Sequence, residues 1–205
     1  NLIPKELEWP QKYKYRLETL EKPNGAIVFY GALLRNSLPP NCPSHIQLDV
    51  GELDSLFISI SLEEDGRAPH GHATVIASAF SDIDFWNDLN KVSYQKHKAI
   101  FLDQILGLLN SFFKINSNDW LHKELATPRS FAKWTGRPKG IVGGLGQTPW
   151  NFGPFGLSSR TPMKGFWLCG DSIYPGEGTA GVSQSALIAC RQLLSEQGRT
   201  FNLNR

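Results

Sequence analysis

The sequence predicts a mixed α+β fold, and three observations carry that prediction. Four apolar runs rich in Val, Ile and Phe lie between residues 26 and 80, broken by Pro, Asn and Gly in the manner of strands and turns. The hydrophobic period then becomes helical over residues 93–113. A short apolar run, a Gly-rich turn and a helix of small residues follow near the C-terminus, at 165–195. With 205 residues, 40% hydrophobic and 20% charged, the chain can bury a real core and is globular rather than disordered.

Taken in order, "WPQKYKYRLETL" reads as a short helix. Pro10 suits a first turn, and Tyr13, Leu17 and Leu20 fall on one side. After the turn "KPNG" come the strand-like runs "AIVFYGALL", "HIQLDV", "LFISISL" and "HATVIASAF". They predict an antiparallel or mixed sheet, with "EEDGRAPHG" as a hairpin-like connection between the last two.

In "SYQKHKAIFLDQILGLLNSFF", Ile100 or Phe101, Ile105, Leu108, Leu109 and Phe112 recur at helical spacing, and "NSND" ends the helix. "LHKELATP" returns to strand character, and "RSFAKWTG" supplies one or two helical turns. Residues 137–164 are mostly Gly, Pro and polar residues, with Trp150, Phe152 and Phe155 interspersed. A loop of that length is usually functional. "GFWLCG" is expected as a last short buried strand and Thr179–Ser195 as the last helix. The chain contains no internal repeat and no low-complexity tract.

Composition excludes several functions. A net charge of +2, with Lys and Arg scattered, gives no footprint for nucleic acid. Cys42, Cys169 and Cys190 are odd in number and far apart, which fits a reducing compartment better than a disulfide framework or a Cys-rich zinc site. No apolar run is long enough to span a membrane, and no signal-like block is present at the N-terminus. The first residue is Asn1 and the sole methionine is Met163, which points to a trimmed chain or a segment of a longer protein.

The strongest chemical signal is "LCGDSIYPGEGTAGVSQSALIACRQLL", with Gly170, Gly176, Gly178 and Gly181 crowded before a helix. Glycine is costly in regular structure, so the cluster means a sharp turn or a close approach. The backbone N–H groups of Thr179, Ala180 and Gly181 at the helix start favour an electron-rich ligand, and Asp171 can accept from sugar-like hydroxyls. The alternative is a tight packing corner. Spacing alone leaves both open. Val182, Ala186, Ala189, Cys190 and Leu193 share one side of the helix, a pattern more typical of core.

Other signals are weaker. "IVGGLGQ" is not a dinucleotide fingerprint, since no G-x-G-x-x-G opens a helix within a βαβ unit, and no G-x-x-x-x-G-K-[ST] loop exists. His70 and His72 form an H-x-H pair in a polar turn without further ligands, so a solvated loop is expected and no metal. Ser158, Ser159 and Ser172 lie outside any G-x-S-x-G elbow. Arg129, Lys133 and Arg137 beside Trp134 make either a cationic edge to a site or an exposed helix face. No residue is identified as a catalytic acid or base.

The combined pattern "ATPRSFAKWTGRPKGIVGGLGQ" and "GPFGLSSRTPMKGFWLCGDSIYPGEGTAGVSQSALIACRQLL" resembles the C-terminal part of FAD-dependent carotenoid oxidoreductases. This group lies within the amine-oxidase-like superfamily and includes phytoene desaturases, carotenoid isomerases and retinol saturase. The wording of the second stretch is most similar to cyanobacterial C-3′,4′ desaturases of the CrtD type.

The resemblance implies that residues 1–136 are a substrate-binding-type region whose sheet has flanking helices. Residues 137–205 would be the C-terminal strand–turn–helix part of an FAD-binding domain, with the N-terminal Rossmann unit absent from this chain. Gly170 and Asp171 match the family's flavin-contacting pair, the aspartate near the ribityl chain or pyrophosphate. Thr179, Ala180, Gly181 and Val182 match the helix start facing the ring. The implied reaction of the longer enzyme moves a hydride from an apolar polyene carbon to FAD, loses a proton from the neighbouring carbon, and adds a double bond.

A redox-neutral isomerase, a saturase-like reductase and a non-enzymatic pigment-binding module are the rival readings. The implied partners are a carotenoid, a membrane surface contacted peripherally, and the missing N-terminal half. The implied setting is cytoplasmic, and cyanobacterial or plastid-like. This chain alone is expected to be inactive, to hold FAD weakly, and to self-associate through an exposed apolar face.

Overall fold

In the computed structural model, which describes residues 8–51, 54–146 and 148–202, packing divides the chain into two compact units. One runs from Gly25 to Ile141; the other combines the residues up to Asn24 with those from Val142 onward. The Gln147 end of "IVGGLGQ" lies outside the described residues.

The first unit is a five-stranded antiparallel sheet of β1 (Gly25–Leu34), β2 (His45–Gly51), β3 (Asp54–Ile60), β4 (His72–Ser81) and β5 (Trp120–Ala126), in the order β2-β3-β4-β1-β5. Its one-sided burial follows from the alternation of the strands. Ile27, Phe29 and Leu33 of β1, Leu56, Ile58 and Ile60 of β3, and Ala73, Val75 and Ala77 of β4 are all on the buried face. Gly31 in β1 leaves room for aromatic rings: a Cβ there would sit 2.5 Å from Trp120 and 2.6 Å from Phe29. Those two rings meet edge to face at 5.2 Å.

Helix α3 (Lys91–Phe113) supplies Ile105, Leu109 and Phe113 to the same core. Truncating such a side chain to alanine costs about 2–5 kcal/mol. The buried stripe is therefore shifted from the predicted one: Phe113 packs inside while Phe112 is exposed. Asn90 caps the helix start by accepting from Ser93 N at 2.9 Å. Lys114 in the left-handed conformation ends it, just before "NSND".

Sequence periodicity missed α2 (Ile83–Asp88), which is too short to show a period. Its signal is the capping residue Asp82, whose carboxylate accepts from Asp84 N and Phe85 N. The β3–β4 connection is held by Asp65, which accepts from Leu62 N and from the Arg67 backbone and side chain. These bonds keep its carboxyl down at about 2.

The segment "TPRSF" builds α4 (Pro128–Thr135). Thr127 and Ser130 form a reciprocal capping box, Pro128 occupies the first turn, and Gly136 closes the helix in the left-handed conformation. Arg129 reaches back to Asn87 O at 3.1 Å and to Leu89 O, and lies over the Tyr94 ring at 4.6 Å. It is a clamp at the end of α2 rather than the edge of a site. Trp134 is exposed, with Lys133 stacked on it at 4.9 Å.

The second unit contains α1 (Gln11–Glu18) and α5 (Gly178–Glu196) joined by long irregular segments. The expected strand at "GFWLCG" does not form. Trp167 makes a single isolated bridge to Arg160, and Cys169 is exposed. Among the described residues this unit holds no strand, so a strand there would have no ladder partner within it. Its backbone is satisfied locally instead. Ser159 Oγ donates to Leu168 O at 2.7 Å, and Thr161 Oγ1 to Phe166 O at 2.7 Å. No helix among the described residues is long and apolar enough to cross a membrane.

Candidate functional site

The glycine-rich corner lies wholly within the second unit, and its four glycines do different things. Gly181 is required by packing: a Cβ there would stand 2.4 Å from Gly176 O and 2.9 Å from Gly176 C. Gly170 and Gly178 face open space, yet their φ values of 125° and 82° strain any residue with a Cβ. Gly176 is buried with φ 128°. The corner is thus a packed turn at Gly176–Gly181, with two further glycines that leave its surface open.

The turn is sewn to its surroundings at two points. Gly170 N donates to Ser185 Oγ at 3.1 Å, and Ser185 is fully buried in the second turn of α5. Tyr174 N donates to Leu157 O at 2.8 Å, beside the bridge between Leu157 and buried Ile173. The Tyr174–Pro175 bond is cis.

Three residues of this corner escaped the sequence reading, Glu177 and the pair Gly143 and Gly144. Gly143 approaches the Glu177 carboxylate so closely that a Cβ would lie 1.8 Å from Oε2. A Cβ on Gly144 would lie 2.8 Å from the Asp171 carbonyl. Both glycines have left-handed φ, 73° and 77°. The doubled glycine of "IVGGLGQ" therefore packs against the turn, and the Gly-Gly dipeptide, a mark of backbone needing positive φ, was the signal that could have found it.

Burial first, and then the negative charge of Asp171, push the Glu177 carboxyl above its ordinary range. Glu177 occupies the N-cap position of α5, but its side chain makes no capping hydrogen bond. Thr179 and Ala180 are exposed in the first turn and Val182 is half-buried. The donor set is thus an uncapped helix start next to open space at Gly170 and Gly178, which suits an electron-rich group. The cleft lined by Phe152 and Asp171–Gly176 has a volume of only about 10 Å³, room for about one water. It is not a ring-sized pocket.

No family model matches the chain. It is similar to proteins named prolycopene isomerase, chloroplastic, from Daucus carota (27% identical over 172 residues) and from Arabidopsis thaliana (27%). A third, prolycopene isomerase 2 from an Oncidium hybrid cultivar, is 26% identical over 174 residues. The chain is weakly homologous to prolycopene isomerases. Each match covers 78% of this chain but only 28–29% of the relative, so the chain spans less than a third of their length.

The remaining sequence signals lie elsewhere or do structural work. The α5 side carrying Ala189, Cys190 and Leu193 is not core; with Phe166, Trp167 and Phe201 it lines an open groove of about 500 Å³. His72 Nδ1 lies 2.9 Å from His70 O, while His70 projects into solvent 3.3 Å from Glu63. Among the described residues, no group of three or more His, Cys, Asp or Glu side chains gathers to hold a metal.

Proposed function

We propose that this chain is the C-terminal segment of a flavin-dependent enzyme of carotenoid metabolism, and that it serves geometric isomerisation of a polyene. The observation that carries the reading is the similarity, over 78% of the chain, to four proteins named prolycopene isomerase. The uncapped start of α5 and the open glycines beside it supply donors of the kind an electron-rich cofactor edge uses.

In this reading FAD, when bound, supplies the electron chemistry that the polyene itself lacks. Gly170, Asp171, Thr179, Ala180, Gly181 and Val182 would hold it. The amides of the first turn orient and polarise its edge, and Asp171 accepts from its hydroxyl-bearing part. The glycines keep the backbone close. The apolar substrate is drawn from a membrane in a plastid-like setting, and the region 137–205 completes a flavin domain begun elsewhere in a longer protein.

A second reading, desaturation, is favoured by the wording of "WLCGDSIYPGEGTAGVSQSALIACRQLL", which resembles C-3′,4′ desaturases. Pigment chromatography of a carotenoid-producing host expressing the longer protein separates the two. Isomerisation predicts an unchanged number of double bonds with altered geometry. A product longer in conjugation by one bond supports the desaturase, and no pigment change at all refutes both. Ala180→Leu in the longer protein is expected to abolish the flavin absorbance without lowering the melting temperature below that of the flavin-free parent, because Ala180 is exposed.

A further inference from the structure

We propose that β2 is a self-complementary edge through which two copies of this chain join into one continuous sheet. Among the described residues β2 (His45–Gly51) ends the sheet and pairs with β3 alone. Ile60 N donates to Ser44 O at 2.8 Å, next to the register position His45–Ser59. Bonded and non-bonded positions alternate along an antiparallel ladder, so Ile46 and Leu48 turn their N–H and C=O groups to β3. His45, Gln47 and Asp49 turn theirs to the open edge. That edge has none of the usual protection: from His45 to Gly51 there is no proline and no lysine, and Asp49 is the sole carboxylate. The opposite edge, β5, carries Lys123 and Glu124.

The order of residues along the strand selects a second copy as the occupant. Antiparallel pairing of β2 with itself about a two-fold axis at Gln47 sets His45 opposite Asp49 of the second copy, and Asp49 opposite its His45. These are the residues whose backbone groups face outward, so each pair exchanges both backbone bonds. His45 is already oriented for the contact. Its ring stacks on Phe57 at 5.9 Å and its Nδ1 lies 3.0 Å from Ser44 Oγ, so Nε2 remains for the carboxylate across the axis. On the other face Ile46 meets Leu48 of the second copy; both are half-buried against the core, which the joined sheet extends. Opposite charges across a ladder are favourable and like charges are not, and the same pairing of β5 about its middle residue would set Lys123 against Lys123. The edge belongs to the first unit and owes nothing to the glycine corner.

The test is analytical ultracentrifugation of the full chain and of variants whose circular dichroism matches it. The parent is expected to form a concentration-dependent dimer. His45→Asp and Asp49→Lys, each alone, remove both cross-strand pairs by symmetry and should weaken the dimer at least about tenfold. Mixed together, the two variants should recover it as a heterodimer, because their charges are then opposite at both ends. Gln47→Pro removes the central outward N–H, leaves the β3 ladder intact and should give a monomer; it serves if a charge variant fails to fold. A parent that is monomeric at about 100 μM, a dimer indifferent to these variants, or charge variants that do not associate on mixing overturns the proposal. So does a dimer of this chain that the longer protein does not form, which would assign the edge to a strand from the rest of that protein.

Discussion

The amide of Gly170 is held by the buried hydroxyl of Ser185, 3.1 Å away and fifteen residues further along the chain. This bond joins the start of the turn to the second turn of the helix that follows it. Ser185→Ala removes the acceptor from a half-buried N–H, at the cost of an ordinary hydrogen bond, about 0.5–1.5 kcal/mol. Urea denaturation of parent and variant measures it. A change below about 0.5 kcal/mol would show that the turn does not depend on the bond.

Gly181 and Ala180 are neighbours with opposite tolerance. Gly181→Ala drives a methyl group into the Gly176 carbonyl and should destabilise by about 1–3 kcal/mol. Ala180→Ser, at an exposed position, should stay within about 0.5 kcal/mol of the parent. Equal melting temperatures for the two variants would remove the packing explanation for Gly181.

Glu177 should make stability depend on pH. Its carboxyl is raised in the folded chain, so the folded state binds that proton more tightly than the unfolded state does. The resulting stabilisation is complete below the ordinary glutamate range and is lost as pH rises through the raised value. Glu177→Gln is therefore expected to melt above the parent at neutral pH, with the gap closing toward about pH 4. A gap that is constant with pH would refute the shift.

Arg129 distinguishes a structural clamp from a binding edge. Arg129→Lys keeps the charge but loses the paired contacts to Asn87 O and Leu89 O, and should cost about 1–3 kcal/mol. In the longer protein the substrate KM should not move. A raised KM with unchanged stability would return Arg129 to a site.

Much of the fold was legible because burial here is local in its pattern. Alternation in "HATVIASAF" and "LFISISL" marks strands whose alternate side chains face one core, and the turn residues of "EEDGRAPHG" mark the connection between them. Helix α3 was legible from its period, but its facing residues were not resolved to better than one position. A choice between Phe112 and Phe113 is settled by what the helix packs against. Helix α2 was invisible because six residues carry no readable period.

By itself, the sequence determined the α+β class, the position of the glycine corner and the need for a close approach there. Composition, period and the φ demands of glycine act on neighbouring residues and can be read along the chain. Only the tertiary structure decided which glycine answers to which neighbour. Gly181 meets Gly176, while Gly143 and Gly144 reach across some thirty residues to Glu177 and Asp171. It also decided that "GFWLCG" is not a strand and that Arg129 is a clamp. Such outcomes depend on which backbone partners lie within hydrogen-bond reach, a distance that no stretch of sequence contains.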